Sequence, residues 1–211
     1  PSQHMTTGDG GMTITDDDEL ASAEAAFALK GNYFNMFVGM NYRMTELQGA
    51  VALEQLKKLN GIVEGRQRNA NRLNERISGL EGAHPPHRIE GATHVYWLYP
   101  LFLRPEKLKA TPRRFSEALS AEGVPFVWPR SSEELVYTRP ALIQKRVFGD
   151  SKCPWDCHAY GRERNYGPGL CPTAEATLPN ILTVAMHECL TSDDIDDMAD
   201  AIIKVEANYR K

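Results

Sequence analysis

Residues 39–50 read Gly39-Met-Asn-Tyr-Arg-Met-Thr-Glu-Leu-Gln-Gly-Ala50. The stretch changes character at Thr45. Before it the chain is rich in Gly, Asn and aromatic residues, so 31–43 reads as a loop. From it, Thr45-Glu46-Leu47-Gln48 fits a capping box, in which the first and fourth side chains satisfy each other's backbone N–H groups. Beyond the box, Leu56, Leu59, Val63, Arg66, Ala70, Leu73, Ile77 and Leu80 recur at alternating spacings of three and four. That period predicts one amphipathic helix of about 35 residues, ~52 Å long. Only Arg66 interrupts its apolar stripe. Helices of this length are uncommon in globular proteins, so it reads as a helix laid across a core or joining two domains.

Upstream, Gly8-Asp9-Gly10-Gly11 reads as a turn, Met12–Thr15 as a short strand, and Asp17 or Asp18 as the cap of a helix running to about Leu29, ended by Gly31. The glycines are not a nucleotide cradle: no Gly-Lys-Ser/Thr opens a helix, and a strand follows where a helix is required. Downstream, 81–93 is a polar linker with Pro85-Pro86, and His94–Leu103 is a strand rich in aromatic and β-branched residues. Thr111-Pro112 opens a helix with Phe115, Ala118 and Leu119 inward and Gly123 at its end. Val124–Trp128 is a strand, 129–173 a long irregular segment, and Asn180–Met186 a third strand. Thr191 caps a last helix carrying Ile195, Met198, Ile202, Val205 and Tyr209 on one face. From residue 94 the order predicts a small α/β sandwich with its sheet covered on one side.

Composition narrows the function. The chain has 211 residues, 24 Lys and Arg against 28 Asp and Glu (net charge −4), and 42% hydrophobic residues. It is neither disordered nor low in complexity, and its spread of basic residues gives no electrostatic reason to expect nucleic acid. No apolar run reaches the ~18 residues of a membrane span; Val95–Leu103 is broken by Pro100. Four cysteines are too few for a disulfide scaffold, which makes the cytoplasm the expected location. Cys153, Cys157, His158 and Cys171 invite a zinc reading, but no second close pair accompanies the first, so no metal is expected. Asn41-Tyr42-Arg43 suits a phosphate or carboxylate, or else a capping cluster. His187, just past the third strand, is a site residue or a surface histidine in equal measure.

Three stretches taken together carry a resemblance. The first is His4-Met-Thr-Thr-Gly-Asp-Gly-Gly-Met-Thr-Ile-Thr-Asp-Asp-Asp-Glu-Leu-Ala21. The second is 39–50 followed by Gln55-Leu-Lys-Lys-Leu59, and the third Cys171-Pro-Thr-Ala-Glu175 with Leu190-Thr-Ser-Asp-Asp-Ile195. They resemble the DegT/DnrJ/EryC1/StrS family of pyridoxal-phosphate (PLP) aminotransferases acting on sugar nucleotides and aminocyclitols, with the Tyr96–Tyr99 strand and the Cys171–Glu175 segment most like the aminocyclitol branch, in the style of scyllo-inosose aminotransferases. The resemblance implies a fold-type-I α/β transferase of which this chain is the C-terminal part. Residues 1–43 are then the end of the large PLP domain, 44–80 the bridging helix and 81–211 the small C-terminal domain. It implies a homodimer with a shared active site, and an amino group passed from Glu or Gln to a keto sugar or keto-cyclitol.

By the same resemblance Asn41 reaches the PLP phosphate of the neighbouring subunit and Arg43 lies near it; Tyr42 and His187 are taken as substrate-side residues without a family match. Position 3 departs from the family. The Schiff-base lysine belongs there, and this chain has Gln3. A carboxamide is not basic and cannot condense with the PLP aldehyde. The resemblance therefore leaves two further readings, a PLP- or PMP-dependent deoxysugar dehydratase of the same family and a non-catalytic chain that dimerises.

Overall fold

The computed structural model describes residues 3–30, 38–147, 149–150, 153–155 and 164–211. The chain divides into two compact units, Pro1–Glu64 and Gly65–Lys211.

In the first unit the glycine turn has two left-handed residues, Gly8 (φ +89°) and Gly10 (φ +143°), conformations that cost a glycine little. Helix α1, Asp18–Ala28, starts where the Asp17 carboxylate accepts the Leu20 N–H at 2.9 Å. It ends at Leu29, with Lys30 left-handed (φ +64°). Gly31, the expected terminator, lies outside the described residues. Residues 38–42 then run back along the end of α1. Met40 N–H donates to the Phe27 carbonyl (2.8 Å), Lys30 N–H to Met40 (2.9 Å) and Tyr42 N–H to Ala28 (2.9 Å). The strand expected at Met12–Thr15 does not form. No neighbouring strand among the described residues takes up its backbone groups, and Ile14 is 90% exposed.

Helix α2, Glu46–Ile77, has 32 residues and opens with the expected capping box. Gln48 N–H donates to Thr45 Oγ1 (3.3 Å), and Thr45 N–H to Gln48 Oε1 (3.0 Å). It stops one turn short of Leu80, in a turn closed by Leu80 N–H on the Ile77 carbonyl.

The second unit is built on a four-stranded antiparallel sheet of order β1-β2-β4-β3. Its strands are β1 (Ala83–His84), β2 (Leu98–Leu103), β3 (Val127–Pro129) and β4 (Ile181–Ala185). The register pairs Leu101 with Leu182, Tyr99 with Val184 and Ala83 with Leu103. β1 sits inside the stretch read as a linker; two residues carry too little periodicity to announce a strand. β2 and β3 begin later than their sequence suggests. Tyr96 (φ +47°) and Phe126 (φ +52°) are left-handed, and an extended run cannot pass through such a residue.

Helices α3 (Pro112–Ala121) and α6 (Ser192–Tyr209) frame the sheet, and the short helices α4 (Pro140–Ile143) and α5 (Pro172–Thr177) punctuate the irregular segment. Thr111 caps α3, and Thr191 with Asp194 forms a capping box on α6. One face of the sheet carries the core. Tyr99, Leu101, Leu103, Leu182 and Val184 meet Phe115 and Leu119 of α3, and Ile195, Met198, Ile202 and Val205 of α6. Ala70, Leu73 and Ile77, the last turns of α2, complete it. Burial of each Leu, Ile, Val, Phe and Met among them is worth ~1.5–3 kcal/mol. On the other face Trp128 is exposed, whereas Thr183, its partner in the register, is buried.

Candidate active site

The first unit holds an open cavity of about 1000 Å³. One wall is the glycine turn, Asp9–Gly11. Another is the face of α1 that carries Leu20, Glu24 and Phe27, residues spaced by four and three and so stacked on one side of the helix. Tyr42 and Arg43 close it. Backbone pairing of 38–42 with the end of α1 sets the two in place, and the Tyr42 ring leans on Phe27, centroids 5.6 Å apart. Arg43 Nε donates to Asn41 Oδ1 at 3.0 Å. A single N–H of the guanidinium is thus used among the described residues, and the rest of the fork can grip an anion.

The turn itself is held from α2, because Gln48 Nε2 donates to the Asp9 carbonyl at 2.8 Å. A Cβ on Gly10 would stand 2.9 Å from Thr7 Oγ1 and 3.4 Å from Met44. Its positive φ makes any side chain strained there as well. Glu24 accepts a hydrogen bond from the Thr13 hydroxyl at 2.9 Å, which ties α1 to the far end of the turn.

Gln3 is exposed and lines a second cavity of about 280 Å³, with Thr6, Thr7, Met44 and Ala52. The glycine turn lines both cavities. The structure therefore brings Gln3, Tyr42 and Arg43 to two sides of one turn, with Asn41 hydrogen-bonded to Arg43. The α1 face was not singled out from the sequence as a site wall, although its spacing was legible.

His187 belongs to the second unit, in the turn after β4. Its side chain is 54% exposed, and its Nδ1 accepts the Cys189 N–H at 3.2 Å. Beside it Glu188 receives Arg66 Nε at 2.8 Å. Arg66 is 6% exposed, and its Nη1 donates to the carbonyls of Met186 (2.7 Å), Trp97 (3.1 Å) and Tyr96 (3.3 Å). This is why a charge interrupts the apolar stripe of α2: the guanidinium satisfies buried and half-buried carbonyls. Burial pushes the Glu188 carboxyl up, but its own backbone N–H, the Arg66 guanidinium and His187 outweigh that and hold it below the usual range.

In the irregular segment Glu175 accepts the Gly169 N–H (2.8 Å) and the Tyr137 hydroxyl (2.9 Å). These contacts tie the start of α5 to the loop before it. Of the zinc candidates, Cys157 and His158 lie outside the described residues, while Cys153 and Cys171 are exposed.

The profile of the DegT/DnrJ/EryC1/StrS aminotransferase family matches residues 1–203. The chain belongs to this family. Among curated relatives, a GDP-perosamine synthase from Caulobacter vibrioides is 32% identical over 126 residues, 57% of this chain and 34% of that protein. A putative L-glutamine:3-amino-2,3-dideoxy-scyllo-inosose aminotransferase from Streptoalloteichus tenebrarius is 25% identical over 227 residues, 98% of this chain and 51% of that protein. An aminotransferase structure from Psychrobacter cryohalolentis superposes with a TM-score of 0.74 at 23% identity, covering 98% of this chain and 54% of its own. The fold is thus that of the family's fold-type-I enzymes. The chain spans about half the length of the curated relatives that it matches along its whole length.

Proposed function

We propose that this chain is the C-terminal portion of a PLP-dependent aminotransferase that moves an amino group from an amino acid, Glu or Gln, to a keto sugar nucleotide or keto-cyclitol. The observation that carries the reading is the family match over residues 1–203. The sugar-nucleotide and aminocyclitol relatives supply the substrate class. In this reading residues 1–43 end the large domain, 44–80 are the bridging helix and 81–211 the small domain.

The donor chemistry around the large cavity fits one end of PLP and not the other. Arg43 and Asn41 offer N–H groups suited to a phosphate. Gln3, across the glycine turn, fits no covalent link, because its carboxamide nitrogen is not nucleophilic. When bound, PLP supplies an electron sink for bond breaking at an amino-bearing carbon, and no step through it is assigned to this chain. What the residues do is bind and orient: Arg43 neutralises an anion, Asn41 fixes the guanidinium, and Tyr42 and Phe27 present an aromatic wall. Tyr42 and His187 are the substrate-side residues of the reading.

The absence of an amine at position 3 specifically favours a second reading, a dehydratase of the same family that uses PLP or PMP without a lysine. A homodimer with a shared site is part of the first reading. It is supported by the apolar residues that the first unit leaves uncovered, Val38 (95% exposed), Ile14 (90%) and Leu47 (81%). Among the described residues no helix is long and apolar enough to cross a membrane; a cytoplasmic enzyme belongs to the same proposal.

Borohydride reduction with added PLP, followed by intact mass, tests the reading. The chain as given is expected to release PLP, whereas Gln3→Lys is expected to retain one reduced adduct at position 3. A folded Gln3→Lys protein that retains none overturns the assignment of position 3. Product mass in the full gene product separates the alternatives, since a dehydratase loses water from its substrate and an aminotransferase exchanges oxygen for nitrogen.

A further inference from the structure

We propose that the turn after β4 binds a divalent transition-metal ion through His187, Glu188 and Cys189. Each residue offers one ligand atom, and these atoms all lie within 4.8 Å of one another. Tetrahedral Zn²⁺, with bonds of ~2.0 Å to nitrogen and ~2.3 Å to sulfur, needs donors about 3.3–3.8 Å apart. Small side-chain rotations of about 1 Å close that gap without moving the backbone.

The backbone of the turn is already fixed from α2, by groups that are not donors themselves. Asn69, 5% exposed, sends its Nδ2 to the carbonyls of His187 (2.9 Å) and Leu190 (3.0 Å). Arg66 holds the Met186 carbonyl and one Glu188 oxygen, Oε2. Gly65 lets the turn approach closely, for a Cβ there would stand 2.8 Å from the Cβ of Glu188. A three-residue turn seldom presents consecutive side chains to one point. Here buried groups on both sides hold it in that form, so an ion does not have to order the chain.

The donors also face one another. His187 Nδ1 accepts the Cys189 N–H, and it lies 3.6 Å from Glu188 Oε2. That nitrogen carries its lone pair rather than a proton, and a metal ion bound there would take the place of the Cys189 N–H. Glu188 retains acceptor capacity beyond the Arg66 bond, since a carboxylate has roughly four lone-pair sites. Arg66 then plays the orienting part that outer partners play in metal centres.

Imidazole with thiolate selects Zn²⁺, Co²⁺, Ni²⁺ or Cu²⁺ over the oxygen-seeking Mg²⁺ and Ca²⁺. One thiolate and one carboxylate neutralise the double charge. The side chains of His187 and Cys189 are exposed, which leaves an open fourth position for water. The site does not rest on the aminotransferase reading, and it differs from the Cys153-to-Cys171 grouping weighed from the sequence.

Cobalt titration of the 211-residue protein tests the proposal, with far-ultraviolet circular dichroism as the folding control. Co²⁺ should give a saturable thiolate-to-metal absorption band with tetrahedral visible bands at one equivalent, displaced by Zn²⁺ and not by Mg²⁺. Cys189→Ser should abolish the thiolate band and Cys171→Ser should leave it intact. His187→Ala should weaken binding by at least about tenfold. Absence of the band at millimolar Co²⁺ in the folded protein overturns the proposal. A band that survives Cys189→Ser, or that Cys171→Ser removes, overturns it equally.

Discussion

Replacing Arg66 by methionine keeps most of the volume of the stem and deletes the guanidinium. The side chain it removes is 7% exposed and pairs with a Glu188 side chain that is 23% exposed. Breaking a buried ion pair from one side costs about 3–5 kcal/mol, because the other charge stays behind. Partial exposure of Glu188 lets water reach it, which favours the lower end. Three carbonyls also lose their donor, those of Met186, Trp97 and Tyr96. A buried acceptor left without a donor costs about 1–3 kcal/mol, which applies to the Met186 and Tyr96 carbonyls, whose bonds to Arg66 are buried. These terms overlap, and a net loss near 4 kcal/mol is expected, a large share of the ~5–15 kcal/mol that holds a domain folded. All three tryptophans, Trp97, Trp128 and Trp155, belong to the second unit, so urea unfolding followed by their fluorescence reports on the unit that Arg66 serves. With m near 2 kcal/mol per M, the midpoint should fall by about 2 M. Adding Glu188→Met to Arg66→Met should recover part of the loss, since it removes the stranded charge. A loss below about 1 kcal/mol, or a double variant no more stable than Arg66→Met alone, would refute the assignment of Arg66 as the hub of this loop cluster.

Acid should erode the Glu188 contribution. Its carboxyl is held below the usual 4.5 in the folded state, so the stabilisation is complete above that value and fades as pH falls through the folded pKa; the stability gap to Glu188→Gln should narrow below about pH 4.5. Gly61→Ala and Gly65→Ala should move stability in opposite directions in thermal melts. A Cβ meets nothing within 4 Å at Gly61, whereas at Gly65 it meets the Cβ of Glu188 at 2.8 Å, so the first gains up to ~1 kcal/mol of helix propensity and the second loses ~1–3 kcal/mol to overpacking. Tyr99→Phe deletes the hydroxyl that donates to Asn74 Oδ1 at 2.6 Å and should cost about 1–2 kcal/mol in the same urea assay. Burial holds the Tyr99 phenol far above its ordinary pKa, so in an alkaline titration it should ionise only as the second unit unfolds.

Periodicity made the framework legible. The stripes on α2, α3 and α6 named most of what the helices give to the core, because a buried helix face repeats its chemistry every three or four residues and survives without knowledge of the partner, although Leu56 at the start of the α2 stripe is exposed. What escaped was set by partners. β1 is two residues long and exists through its pairing with Leu103 and Phe102. Met12–Thr15 alternates like a strand and has no partner among the described residues. Tyr96 and Phe126 look like strand residues by propensity, yet both are left-handed, since propensity describes side chains and the loop geometry here is decided by packing. Arg66 showed itself in the sequence only as an interruption. The carbonyls that explain it come from residues 30 to 120 positions away, and no local pattern encodes that distance.

The site divides along the same line. Asn41, Tyr42 and Arg43 are contiguous, so their chemistry could be read together, and the structure adds only that Tyr42 and Arg43 line one cavity. Gln3 is 40 positions from Arg43, and the glycine turn that both cavities share relates the two. That arrangement makes position 3 separable from the fold. Gln3 is exposed, so exchanging its carboxamide for an amine removes no core packing and creates no buried charge. A Gln3→Lys protein should therefore unfold at the same urea concentration as the parent, within about 0.5 kcal/mol. Any difference in PLP retention between the two is then a difference in chemistry at one atom. If Gln3→Lys instead unfolded well before the parent, position 3 would be part of the structural frame of the turn, and the cofactor assay would no longer read chemistry alone.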